Sequence, residues 1–115
     1  MGNSEPIVSV VIPTLNRPHL VVRAVRSALA QTLHTIEVVV VVDGPDNLTI
    51  EALGTLEGSR VVIKTLPCNV GPAGARNAGV EAARGRWVAF LDDDDEWAPH
   101  KLAIQLSAVQ SSSRP

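Results

Sequence analysis

Four consecutive aspartates, Asp92-Asp93-Asp94-Asp95, follow the apolar stretch Trp87 to Leu91. Carboxylates this close repel one another unless a cation sits among them. Hard divalent ions such as Mg2+ or Mn2+ take oxygen ligands and commonly bridge carboxylates to a diphosphate. If the strand runs on, alternation turns Asp92 and Asp94 one way and Asp93 the other. The competing reading is a solvated acidic turn that caps a following helix. The place of the run, at the end of a strand, favours the cation.

Other residues of the same kind stand elsewhere. Asp43 ends an all-valine run, where its carboxylate can accept an N–H from a base or meet ribose hydroxyls. A plain Asp-Gly turn over Asp43-Gly44 fits equally well. The segment Asn69 to Gly79 opens a helix with small residues, which lets backbone approach a ligand, and Arg76 in its first turns can meet a diphosphate or a base. Gly79, Ala78 and Ala82 read instead as helix-to-sheet packing. Thr14, Asn16 and Arg17 form a third polar group. Trp97 suits either the core or a lid over the site, and Trp87 reads as core.

These residues need a frame, and the apolar pattern supplies one. Ile7 to Ile12 is a β-branched run that Pro13 is expected to end. Asn16 is placed to cap a helix from Pro18 through Leu29. Ile36 to Val42 is a second strand, buried on both faces. A short helix over 48–56, closed by Gly58, leads to a third strand over 61–63. A helix over 73–83, closed by Gly85, leads to a fourth strand over 87–91. Pro99 opens a last helix carrying Leu102, Ile104, Leu106 and Val109, which fades into the tail 111–115; Asp95 is a helix-entry residue. Strands alternating with helices predict an α/β, Rossmann-like parallel sheet ordered 3-2-1-4. Ligands then lie beyond the carboxyl ends of the strands where the order reverses, between the first and fourth. All three polar groups follow strand ends there.

The rest of the chain narrows the options. Its 115 residues make one domain, and 45% hydrophobic content fits a folded core. A net charge of -2 argues against nucleic acid as the main partner. There is neither a Walker A lysine motif nor a Gly-x-Gly-x-x-Gly, so ATPase and dinucleotide readings fall away. His19, His34 and His100 have no metal-ligand spacing. Cys68 is a lone cysteine that allows no internal disulfide. Residues 1–5 show neither a secretory leader nor a myristoylation pattern, no apolar run is long enough to span a bilayer, and the sequon Asn47-Leu48-Thr49 reads as chance. The expected location is cytoplasmic, with docking on the inner face of a membrane left open.

The string Val8 to Arg17 (VSVVIPTLNR) resembles the start of a family 2 glycosyltransferase of the GT-A fold. So do Asn69-Val70-Gly71 followed by Ala75-Arg76-Asn77-Ala78-Gly79, and Phe90 to Trp97 (FLDDDDEW). The motifs come in the family's order and cover nearly the whole chain, residues 1–115 being the nucleotide-sugar-binding part. By this resemblance Thr14, Asp43 and Arg76 contact the nucleotide, chiefly its base, and Pro13, Asn16 and Arg17 belong to the same donor site. Asp92 and Asp94 are the ends of an Asp-x-Asp motif, Asp94 the metal ligand with Asp92 in support, and Asp93 lies by the ribose and diphosphate. Many members carry two acidic residues where this chain has Val42-Asp43, so Asp43 stands alone.

The resemblance implies a nucleotide-diphospho-sugar donor, a UDP-sugar favoured. It implies Mg2+ or Mn2+, a sugar or glycan or lipid acceptor, and inverting transfer in polysaccharide or cell-wall biosynthesis. The general base and acceptor site of the family have no counterpart in this chain. The expected sheet leaves its fourth strand with an open edge, which invites a homo-oligomer. The alternative is a non-catalytic nucleotide- or metal-binding module. A phosphate-signalling receiver domain is disfavoured, since it needs an acidic pair where Pro13-Thr14 stands.

Overall fold

The fold is built around β2 (Ile36–Val42), whose seven residues are all buried. The computed structural model describes residues 5–56, 58 and 60–112. On one side β2 pairs with β1 (Val8–Thr14), and on the other with β3 (Val61–Thr65). β4 (Trp87–Phe90) pairs with β1, so the four parallel strands lie in the order β3-β2-β1-β4. This is the predicted α/β sheet.

Alternation along the strands feeds two cores. Val10, Ile12, Val38, Val40 and Val42 point to one face, against Val21, Ala24, Val25 and Ala28 of α1 (Pro18–Leu29) and Leu53 of α2 (Asn47–Gly54). Val11, Val39 and Val41 point to the other, against Ala75 of α3 (Pro72–Ala82). Each fully buried valine contributes roughly 1.5–3 kcal/mol over an exposed one. Gly79 makes the close approach of α3 possible: a Cβ there would collide with the Val11 side chain and stand 3.2 Å from Val41 Cγ2. The last helix, α4 (Lys101–Ser112), covers little, and Leu102 is its buried residue.

Several boundaries differ from the sequence expectation, each for a physical reason. Pro13 does not end β1. It lies in register with Val41, and pairing to β2 continues to Thr14↔Val42. The Val11 carbonyl accepts from Leu91 N, so alternation turns the nitrogen of Pro13 to that same side, where β1–β4 pairing stops at Val11↔Phe90. The proline therefore ends one ladder and spares the other. Asn16 is not the helix cap; Arg17 holds that position without a side-chain cap, and Asn16 adopts a left-handed φ of 57°. α2 spans Asn47–Gly54 rather than 48–56, β3 extends to Thr65, and α3 starts at Pro72 behind Gly71.

Trp87 is not core. It is 39% exposed, with Val88 and Phe90 beside it also exposed, because β4 is an edge strand that α4 only partly covers. Trp97 packs against the larger core and does not line the cleft described below. α4 begins at Lys101 rather than Pro99, which leaves Asp95 in a loop instead of at a helix entry. Ile104 is 66% exposed. Residues 1–4 and 113–115 lie outside the described residues.

Candidate active site

Beyond the carboxyl ends of β1 and β4 the sheet splits, and a cleft of about 400 Å3 opens there. Each strand end supplies part of its wall. Pro13, Thr14, Leu15 and Arg17 come from the end of β1 and the turn into α1, and Asp43 from the end of β2. Asn69, Gly71, Pro72 and Arg76 come from the entrance of α3, and Asp92, Asp93 and Asp94 from beyond β4. The structure thus gathers the predicted residues except Asn16, which is exposed and not part of the lining.

The acidic run has left the strand and folds into a turn closed by Asp95 N donating to Asp92 O at 3.1 Å. Asp93 is the buried member, 8% exposed. The Thr14 hydroxyl donates to its Oδ2 at 2.8 Å, and Arg17 Nη1 donates to its Oδ1 at 3.1 Å. Both oxygens are therefore engaged. Asp92 and Asp94 face outward, with side chains 67% and 58% exposed. Arg76 Nη2 stands 3.8 Å from Asp92 Oδ1, and Arg17 Nη1 stands 3.6 Å from Asp94 Oδ2. Arg23, on the exposed side of α1, donates to the Asp94 carbonyl at 2.9 Å.

Asp43 is 6% exposed and turns its carboxylate onto its own neighbours. It accepts from Asn69 Nδ2 at 3.1 Å, Val70 N at 2.9 Å and Gly71 N at 3.1 Å. Its backbone N–H donates to Thr14 O at 2.9 Å. Asp43 thereby ties the β1 end to the loop that leads into α3. Gly71 takes a φ of 90°, which suits glycine, and this lets the loop bring its amides to Asp43. Asp46 does comparable work without having been singled out in the sequence: it caps α2 through Thr49 N and accepts from the backbone N–H of Asn16. An Asp just before a helical stretch was the available signal.

The chemistry of the donor set suits a hard divalent ion that brings ligands of its own. Among the described residues no group of three or more His, Cys, Asp and Glu is arranged as a metal cage. Mg2+ and Mn2+ at diphosphate sites need no such cage, because one or two carboxylates plus phosphate oxygens and waters complete the shell. Asp92 and Asp94, exposed at the cleft and held only through the longer ion pairs to Arg76 and Arg17, are the two carboxylates best placed to serve.

The family model described as Glycosyl transferase family 2 matches residues 9–113. The chain belongs to glycosyltransferase family 2. It is 46% identical over 107 residues to the succinoglycan biosynthesis protein ExoO of Rhizobium meliloti, covering 93% of this chain and 31% of that protein. It is 35% identical over 106 residues to the Escherichia coli UDP-Glc:alpha-D-GlcNAc-diphosphoundecaprenol beta-1,3-glucosyltransferase WfaP, covering 91% and 42% respectively. S. aureus TarS 1-349 in complex with UDP superposes with a TM-score of 0.83 at 26% identity, over 90% of this chain and 32% of that one. A mannosyltransferase of Pyrobaculum calidifontis, solved with GDP-Man and Mn2+, shares the fold at a TM-score of 0.83 and 24% identity, over 96% and 33%. This glycosyltransferase domain thus spans about a third of the length of the relatives it matches. Its sheet has the GT-A arrangement of these transferases, and no described helix is long and apolar enough to cross a membrane.

Proposed function

We propose that this domain holds the nucleotide-diphospho-sugar donor of a glycosyltransferase that makes polysaccharide or other cell-surface glycans at the inner face of a membrane. A UDP-sugar is the favoured donor. The observation that carries the reading is the meeting of Thr14, Arg17, Asp43, Arg76 and Asp92 to Asp94 in one cleft at the split of the sheet. Support for UDP comes from TarS, solved with UDP, and from WfaP, whose name gives a UDP-glucose donor.

Asp92 and Asp94 would hold Mg2+ or Mn2+, with Asp94 the principal ligand. An ion held there would supply Lewis-acid stabilisation to a departing diphosphate. Asp93, locked by Thr14 and Arg17, fixes the height at which its two neighbours face the cleft. Arg76 lines the same cleft beside Asp92 and supplies positive charge to the diphosphate. Asp43 holds the Asn69–Gly71 loop, which forms the wall against which the base lies. Asp43 and Asp93 are committed to hydrogen bonds and Asp92 and Asp94 to the ion. None of these four carboxylates is then left to act as the general base that deprotonates a sugar, glycan or lipid acceptor hydroxyl for inverting transfer. A non-catalytic binding module would use the same cleft without that base.

The deciding experiment is calorimetric titration with UDP, GDP and dTDP, with and without Mn2+. Metal-dependent diphosphate binding that Asp94→Ala abolishes is the expected result. No binding of any nucleotide under either condition would overturn the reading.

A further inference from the structure

Arg17 lies against both the buried and the outward-facing members of the acidic run, and its two contacts differ in kind. The contact to Asp93, at 3.1 Å, is shielded: that side chain is 11% exposed, and Thr14 fixes its other oxygen. The contact to Asp94, at 3.6 Å, joins side chains 50% and 58% exposed, and water screens it. The guanidinium is thus anchored on Asp93 and held loosely on Asp94. Its backbone is constrained between the left-handed Asn16 and Pro18 at the start of α1, so movement falls to the long side chain. Arg23 does not compete for the same group, since it uses the Asp94 carbonyl.

A divalent ion on Asp94 and a guanidinium on the same carboxylate repel each other. We propose that Arg17 is a built-in counter-cation of the acidic run. It neutralises Asp94 until a divalent ion takes that carboxylate, then turns, still anchored on Asp93, toward the diphosphate. The inference rests on the assignment of Asp92 and Asp94 as the ion's ligands. It makes the ion alone a weak ligand, because Arg17 must first be displaced. It makes ion and diphosphate mutually reinforcing, because the diphosphate gives the displaced arginine a new anionic partner, and that coupling is reciprocal.

The test is Mn2+ titration of the 115-residue chain, alone and with saturating UDP, for the wild type, Arg17→Gln, Arg17→Lys and Arg26→Gln. Arg26 carries the same charge on the exposed side of α1 and makes no ion pair with the acidic run among the described residues. The expected result is that Arg17→Gln binds Mn2+ alone about three- to tenfold more tightly and UDP–Mn2+ more weakly by a similar factor. Arg17→Lys stays near the wild type for Mn2+ alone, and Arg26→Gln changes neither affinity. An unchanged or weakened affinity of Arg17→Gln for Mn2+ alone overturns the inference, as does an equal gain in Arg26→Gln.

A measurement on the wild type guards against a folding defect in the variant. The Arg17 Nε–H resonance should shift on adding Mg2+ and shift again on adding UDP, and a signal unmoved by both overturns the inference. Mn2+–UDP binding that is the same in all four proteins removes the role of Arg17 and leaves the ion site standing. No Mn2+ binding by any of them, with UDP or GDP, removes the ion site and the inference with it.

Discussion

The hydroxyl of Thr14 donates a 2.8 Å hydrogen bond to Oδ2 of Asp93, joining residues 79 positions apart in the chain. The bond closes the gap that Pro13 opens between β1 and the segment after β4. It also turns the middle carboxylate inward, so that Asp92 and Asp94 face the cleft.

Thr14→Val keeps the shape of the side chain and removes the donor. One oxygen of a nearly buried carboxylate is then left without its partner, at a cost of about 1–3 kcal/mol. Denaturant unfolding should show that loss. Titration should show weaker Mn2+–UDP binding, since the turn carrying Asp92 and Asp94 is no longer pinned. Unaltered stability together with unaltered affinity would remove Thr14 from its positioning role.

Asp43→Asn replaces one of the acceptor oxygens that receive Asn69 Nδ2, Val70 N and Gly71 N with a donor. Faster amide hydrogen exchange at Val70 and Gly71 is the expected signature, together with weaker Mn2+–UDP binding. The exchange of β2 amides, deep in the core, should not change. If exchange at Val70 and Gly71 stays as slow as in the wild type, Asp43 does not hold the loop.

Glu37 lies at the other end of the sheet and is 1% exposed. Burial pushes its carboxyl up, but hydrogen bonds from the Ser9 hydroxyl and from the Arg84 amide and guanidinium outweigh this, leaving it below its ordinary value of 4.5. A carboxylate with a depressed folded-state pKa stabilises the fold above its unfolded value, and that contribution disappears as pH falls through the folded value. Unfolding free energies measured from about pH 7 down to pH 3 should therefore show wild type and Glu37→Gln diverging at neutral pH and converging in acid. A constant gap across that range would show that ionisation of Glu37 contributes nothing.

The outer edge of β4 exposes Trp87, Val88 and Phe90. Trp87 N and Leu91 N both donate to β1, so alternation points the Val88 and Phe90 N–H groups to the open side. The 115-residue chain is expected to self-associate along this edge, with Val88→Pro shifting it toward monomer while the β1–β4 ladder survives. Sedimentation velocity over a concentration series checks this. A wild type that stays monomeric at high concentration removes the edge as an interface.

The sheet order and the position of the cleft were legible because they follow from simple regularities. Unbroken valines signal a strand buried on both faces, and polar groups after the first, second and fourth strands signal the split of a parallel sheet. The hydrogen-bond partners inside the cleft were not legible, because they join residues far apart in the chain. Nothing near Asp43 says that its carboxylate turns to Val70 and Gly71 rather than to a base. Nothing near Arg17 names Asp93, 76 positions away. Pro13 was misread because its effect depends on which side of the strand its nitrogen faces, a property of pairing rather than of local sequence. Trp87 was misread because burial of β4 depends on what lies beyond it. Glu37, a lone charge among valines, did carry a signal that local reasoning left unused.

The pairing of β4 with β1 also has a consequence for the order in which the molecule assembles. Val8↔Trp87 is the start of a contact across most of the described chain, whereas β2 reaches its neighbours through much shorter loops. Contacts of such high order close late, after their loop-closure entropy has been met by nearer ones. Thr14 can meet Asp93 only after that last strand docks. A ligand gripping this turn therefore recognises the finished fold and slows unfolding more than it speeds folding.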